Sequence, residues 1–174
     1  MTRARTLQYF AIALAIIALD GIVKALVHLC IPLMGMASPV YPFGGIGVLH
    51  NWHGIDFIIT HVINKGAAWG ALASFHELLL YLRVAIIGGL VTYLFVAKVD
   101  PFRSFCLMLV GAGAVGNVID HFLYGHVVDM FYFVFWGYSY PVFNLADSAI
   151  FCGIALLLLK SLFSRGSQTS LKKI

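Results

Sequence analysis

Three aspartates and three other polar side chains lie close together in the second half of an otherwise apolar chain. Asn117, Asp120 and His121 are spaced i, i+3 and i+4, which on a helix puts all three tips on one face. Asn144 and Asp147 repeat the i, i+3 relation, and Asp129 falls between the two sets, in the segment GHVVDM (125–130), just after a helix or along its last turn. Two carboxylates held together in a poorly solvated pocket repel and tend to share one proton. Such a pair suits aspartyl-protease chemistry: the ionised partner takes a proton from water, the protonated one polarises the scissile carbonyl, and the roles reverse as the amine leaves. Spacing alone leaves the pair open, because Asp120 matches Asp147 as readily as Asp129 does. A lone aspartate near a helix start, as Asp147 is, serves equally well as a cap. Three aspartates and two asparagines at one depth are harder to explain by capping.

The elements that carry these groups are membrane spans. Of 174 residues 61% are hydrophobic and 10% charged, where a soluble domain carries about a quarter charged residues. Apolar stretches over about 7–29, 78–97, 105–124 and 143–163 are each long enough to cross a hydrocarbon core of about 30 Å. An ionisable group at that depth costs at least about 2.5 kcal/mol, so each is a functional candidate. Asp20 and Lys24, spaced i, i+4 in the first span, are placed to pair on one helix face, as a structural ion pair or as part of a site. Small residues over 111–116 (GAGAVG) allow close helix approach in the third span.

Eight of the eleven basic residues flank the N-terminus, the turn between the second and third spans, and the C-terminus: Arg3, Arg5, Lys98, Arg103, Lys160, Arg165, Lys172 and Lys173. This asymmetry places both termini in the cytoplasm. The loops 31–64 and 125–142, carrying Trp52 and Trp136, then face outward with their aromatics at the interface. Residues 55–63 (IDFIITHVI) read as strand, and an open strand cannot lie in lipid. The expected architecture is therefore an all-α membrane protein of four transmembrane helices, with a small extramembrane β-sheet or cradle between helices 1 and 2. No repeat or linker divides residues 1–174, so one domain is expected. Arg3 and Arg5 before an apolar run resemble a signal peptide, but Asp20 and Lys24 interrupt it, and a retained first helix is the better reading.

Other chemistries fit less well. The net charge of +4 comes from residues at span ends rather than from a basic patch with aromatics, so no nucleic-acid partner is expected. There is no HExxH motif, and His50 with His53 is too sparse a set for a metal. Ser74 and Ser148 lack a nucleophile elbow or a lysine partner. Cys30, Cys106 and Cys152 lie at different depths and form no disulfide framework. Transport or proton relay through buried aspartates is the competing class, distinguished by ion flux without a cleavage product.

Four segments in order resemble the lipoprotein signal peptidase (signal peptidase type II) family: DGIVK (20–24), NKGAAWG (64–70), GNVID (116–120) followed by GHVVDM, and FNLADSAI (143–150). The resemblance implies an aspartyl endopeptidase of the bacterial inner membrane that removes the signal peptide from a prolipoprotein, just before a diacylglyceryl-modified cysteine. It assigns the catalytic pair to Asp129 and Asp147 and leaves Asp120 as support. It also implies that Asn64, Gly66, Asn117 and Asn144 line the site, with Asp20 and Lys24 behind them. No metal or organic cofactor is implied. The partners expected are the lipid-modified prolipoprotein and membrane lipid, with the site near the outer face of a monomer. Position 121 departs from the family pattern, which usually has arginine there; His121 makes any substrate contact at that point pH-sensitive. Trp69 stands where phenylalanine is more frequent.

Overall fold

The computed structural model describes residues 2–35, 38–65 and 76–171, with side chains in the last stretch described from 77 to 163. Among the described residues are four long helices: α1 (Arg3–Cys30), α2 (His76–Val96), α3 (Pro101–Tyr124) and α4 (Leu145–Leu171). Each is long and apolar enough to cross a membrane, α4 over Leu145–Phe163. Most of their large apolar side chains point outward, Phe95, Phe122, Phe151 and Leu29 among them. That inversion suits a lipid solvent. The core of the bundle is α3, which packs against all three other helices.

Local chemistry sets the helix ends. Thr2 Oγ1 accepts from Arg5 N–H at the start of α1. Asp100 Oδ1 accepts from Arg103 N–H at 3.2 Å, with Pro101 in the first turn of α3. Pro101 suits this place, since the first helical residue needs no N–H donor. The span begins four residues before the expected Phe105. At this end Lys160 of α4 lies 2.7 Å from Asp100, and Tyr9 of α1 donates to the Pro101 carbonyl at 3.2 Å. Three helices are thus tied together beside the basic residues.

At the opposite end lies a four-stranded antiparallel sheet in the order β1 (Ile46–Trp52), β2 (Ile55–Asn64), β3 (Val127–Phe135) and β4 (Tyr138–Ser139). The 55–63 expectation matches β2. The sheet is not confined to the connection between helices 1 and 2, however, because half of its strands come from the connection between α3 and α4. Residues 127–135 (VVDMFYFVF) form an apolar, aromatic and β-branched strand that covers the edge β2 would otherwise leave unpaired. Both hairpins close through two-residue turns with positive φ at each position, His53–Gly54 and Trp136–Gly137, the backbone that two-residue hairpins favour. Val128 and Met130 pack on Val27 and Ile31, seating the sheet on the end of α1. Strand alternation then turns Asp129 to the other face.

Candidate active site

Each polar residue of the site is delivered by a helix, a strand or a helix cap. Asp20 and Lys24 come from the buried face of α1, Asn117 and Asp120 from α3, Asn64 from the end of β2, Asp129 from β3, and Asn144 and Asp147 from the start of α4. Asp129 lies in a strand, not on the last turn of a helix. Sheet pairing sets Val62 opposite Asp129, so Asn64, two residues on, is its diagonal neighbour on the same face. Asn64 Nδ2 donates to Asp129 Oδ2 at 2.8 Å.

Asn144 joins the two halves of the site. Its Nδ2 donates to Asp129 Oδ1 at 2.7 Å and to Asn117 Oδ1 at 3.1 Å. Its Oδ1 accepts from Asp147 N–H at 2.8 Å, while its own N–H donates to Asp147 Oδ2 at 3.3 Å. That reciprocal exchange caps α4. Asp147 keeps a second oxygen for the site, where Oδ1 accepts from Asn117 Nδ2 at 2.7 Å. Capping and a role in the cluster are therefore not alternatives for Asp147.

Behind this layer Lys24 is fully buried and lies 2.7 Å from both Asp20 Oδ2 and Asp120 Oδ2. It also donates to Asn117 Oδ1 at 3.0 Å. A buried cation is tolerable only when paired and hydrogen-bonded, and here one ammonium has three partners. Asp20 Oδ1 in turn accepts from Ala146 N–H at 2.8 Å, placing an anion on the positive end of α4. Asp120 Oδ2 also accepts from Val128 N–H at 3.2 Å. Asp120 is thus committed to Lys24 and to the backbone beside Asp129.

Burial, together with the charge of Asp147, pushes the Asp129 carboxyl up to about 7, against the opposing influence of the Asn64 and Asn144 hydrogen bonds and of Lys24. A carboxyl titrating there can hold a proton at neutral pH and release it within the same cycle. Asp129 and Asp147 are linked through Asn144 and interact electrostatically, and carboxylates coupled in this way titrate as a pair.

The structure brings together Asp20, Lys24, Asn64, Asn117, Asp120, Asp129, Asn144 and Asp147. His121, one residue past Asp120, sets its ring edge-on to Phe122 at 6.1 Å and offers its carbonyl to Gly125 N–H at the end of α3. Gly66 and Trp69 lie outside the described residues. Sequence reasoning missed two contributors that carry no chemistry of their own. They are the Ala146 amide and the bare Cα of Gly116, where a Cβ would lie 2.8 Å from Asp20 Oδ2. Glycine in the small-residue run of α3 was the one visible signal for the second.

Known proteins resemble this chain in sequence and in fold. The family model described as signal peptidase (SPase) II matches residues 12–163. The lipoprotein signal peptidase of Chlamydia pneumoniae is 39% identical over 126 residues, covering 71% of this chain and 74% of its own. That of Bacillus subtilis strain 168 is 35% identical over 163 residues, covering 92% and 96%. Two solved structures, each of a bacterial membrane enzyme, superpose with TM-scores of 0.74 and 0.70 at 27% and 28% identity, covering 92% and 89% of this chain and 90% and 92% of theirs. Four apolar helices, an antiparallel sheet on one end of them and a family match over most of the length leave one conclusion: this multi-pass bacterial membrane protein belongs to the signal peptidase II family of proteases.

Proposed function

We propose that the chain removes signal peptides from prolipoproteins as an aspartyl endopeptidase, cutting just before the diacylglyceryl-modified cysteine. The observation that carries this reading is the Asn144 bridge. Asn144 reaches Asp129 through its side chain and Asp147 through its main chain, while Lys24 engages Asp120 in a separate ion pair. In the reaction, the ionised member of the Asp129–Asp147 pair withdraws a proton from water, and the protonated member donates a hydrogen bond to the scissile carbonyl oxygen. Water attacks, the proton reaches the leaving amine, and the shared-proton state is restored. Asn64, Asn117 and Asn144 orient the carboxylates, Gly66 lies in the segment that follows Asn64, and Asp20, Lys24 and Asp120 fix α1 and α4 behind them.

A diacylated substrate leaves a bilayer only at about 0.8 kcal/mol per CH₂, so the site takes it from the membrane. In this reading both termini are cytoplasmic and the sheet end, with the site, lies at the outer face. The domain is single, 1–174, and works as a monomer. Cys30, exposed at the sheet end of α1, tests the orientation. In intact cells a membrane-impermeant maleimide should label it, and labelling only after lysis would invert the topology.

The decisive experiment is a digest of a lipidated precursor by the purified protein in nanodiscs, resolved by mass. The expected product ends immediately before the modified cysteine. Ion flux in sealed liposomes with no such product would replace this reading with a transport function.

A further inference from the structure

We propose that His28, His61 and His126 form a binding site for one divalent transition metal of the zinc class, clipping the outer end of α1 to the sheet beside the carboxylate pair. The three come from elements far apart in sequence: the last turn of α1, the second half of β2, and the residue just before β3. One ring nitrogen from each lies within 4.8 Å of the others. The His28 and His61 rings are 5.3 Å apart and nearly perpendicular.

Two independent features mark this as a built site rather than a chance grouping. A bulge separates Ile59 and Val62 in β2, because three residues on β2 advance against two on β3. Bulges re-aim a side chain, and this one leaves both Thr60 and His61 buried. His61 is held in place as Nδ1 donates to the Ile31 carbonyl at 3.0 Å, so its Nε2 carries the free lone pair. That Nε2 is buried with no hydrogen-bond partner among the described residues, and His126 Nε2 is in the same state. The His126 ring lies 6.3 Å from that of His28 and 6.2 Å from that of Tyr124.

A metal-binding histidine ordinarily donates its other ring nitrogen to a carbonyl or carboxylate and presents a bare lone pair to the ion. His61 matches this pattern through its bond to the Ile31 carbonyl. Imidazole nitrogens suit zinc, and a set of three leaves a fourth position for water. Tetrahedral ligands at zinc-nitrogen distances lie about 3.3 Å apart. The three nitrogens, within 4.8 Å of one another, close toward that spacing when an ion binds. Neither the Asp129–Asp147 pair nor its asparagines belong to this cluster. The consequence for them is positional, because His61 and His126 each stand three residues before a site residue, Asn64 and Asp129.

The test uses the full chain without a polyhistidine tag, in detergent, stripped with chelator and titrated with Co²⁺. Expected are visible d–d bands saturating at one ion per chain, displaced by Zn²⁺, together with a metal-dependent rise in the unfolding temperature. His61→Ala and His126→Ala should each weaken binding by at least about tenfold, whereas the His50→Ala/His53→Ala double variant should bind as the wild type does. If either core variant fails to fold, judged by size exclusion, His28→Gln takes its place and should weaken binding equally. Absence of Co²⁺ bands at micromolar metal, or bands unchanged by loss of His28, His61 or His126, overturns the proposal.

Discussion

Lys24 Nζ lies 2.7 Å from Asp120 Oδ2, an oxygen that also accepts the Val128 N–H. This contact separates two aspartates whose sequence context looks alike. Asp120→Asn should remove one of two anions facing a fully buried ammonium, and breaking such a pair costs about 3–5 kcal/mol. Its defect should therefore appear in the unfolding midpoint, with turnover retained in the folded fraction. Asp129→Asn and Asp147→Asn should keep near-native midpoints and lose about 10²–10⁴-fold in cleavage rate, the range for a positioned acid–base group. Thermal unfolding in detergent beside single-turnover cleavage makes the comparison. A stable, inactive Asp120→Asn with an active Asp129→Asn would move the pair to Asp120 and Asp147.

The Asp129 carboxyl, raised to about 7 mainly by burial and then by Asp147, gives a pH dependence with a defined sign. Its folded pKa exceeds its unfolded one, so the native state binds more protons between the ordinary carboxylate range and about 7. The stability this contributes is complete below the unfolded pKa and is lost as pH rises through about 7. Activity should fall on the same side, as the pair gives up its shared proton. Asn64 and Lys24 both act to lower this pKa; Asn64→Ala should therefore move the alkaline limb of kcat/KM to higher pH. A limb that moves downward, or one unaltered in Asp129→Glu and Asn64→Ala alike, would mean that another group titrates.

How far sequence could see is plain from particular contacts. The i, i+4 pairing of Asp20 with Lys24 is a property of one helix and was legible. The second carboxylate on that ammonium, Asp120, comes from a different helix and needed the packing of α1 on α3. IDFIITHVI announced a strand because its alternation is that of a partly exposed sheet. VVDMFYFVF did not, since its first four residues are all buried and a continuous apolar run carries no period of two. Asp129 accordingly looked like a helix-end residue. The choice between capping and a place in the polar cluster at Asp147 could not be made from spacing because its two oxygens divide between them, Oδ2 to the Asn144 amide and Oδ1 to Asn117.

The close approach of α1, α3 and α4 at Gly116 predicts a steric phenotype. A Cβ there would sit 2.8 Å from Asp20 Oδ2 and 3.3 Å from the Ala146 Cβ. Asp20 cannot retreat easily, being held by Lys24 and by the Ala146 amide. Gly116→Ala should therefore cost about 1–3 kcal/mol, the range for overpacking, and reduce cleavage by displacing the start of α4. Gly111→Ala is the control, because its added methyl meets only the end of the Leu90 side chain at 3.1 Å. Equal unfolding midpoints for the two variants would show that the Asp20 contact is not what excludes a side chain at Gly116.

His121 follows Asp120 on the same helix, half-buried at the end of α3. A neutral imidazole offers one donor and an imidazolium two, whereas arginine offers a permanent fork. His121 stands outside the bridge that Asn144 makes to Asp129 and Asp147, so a change there should act on how substrate is held rather than on how water is activated. His121→Arg is expected to lower KM for a lipidated precursor while leaving kcat within about twofold, a difference well under 1.4 kcal/mol in barrier. Steady-state kinetics in nanodiscs provides the check. A change in kcat with KM untouched would place position 121 in the chemical step instead.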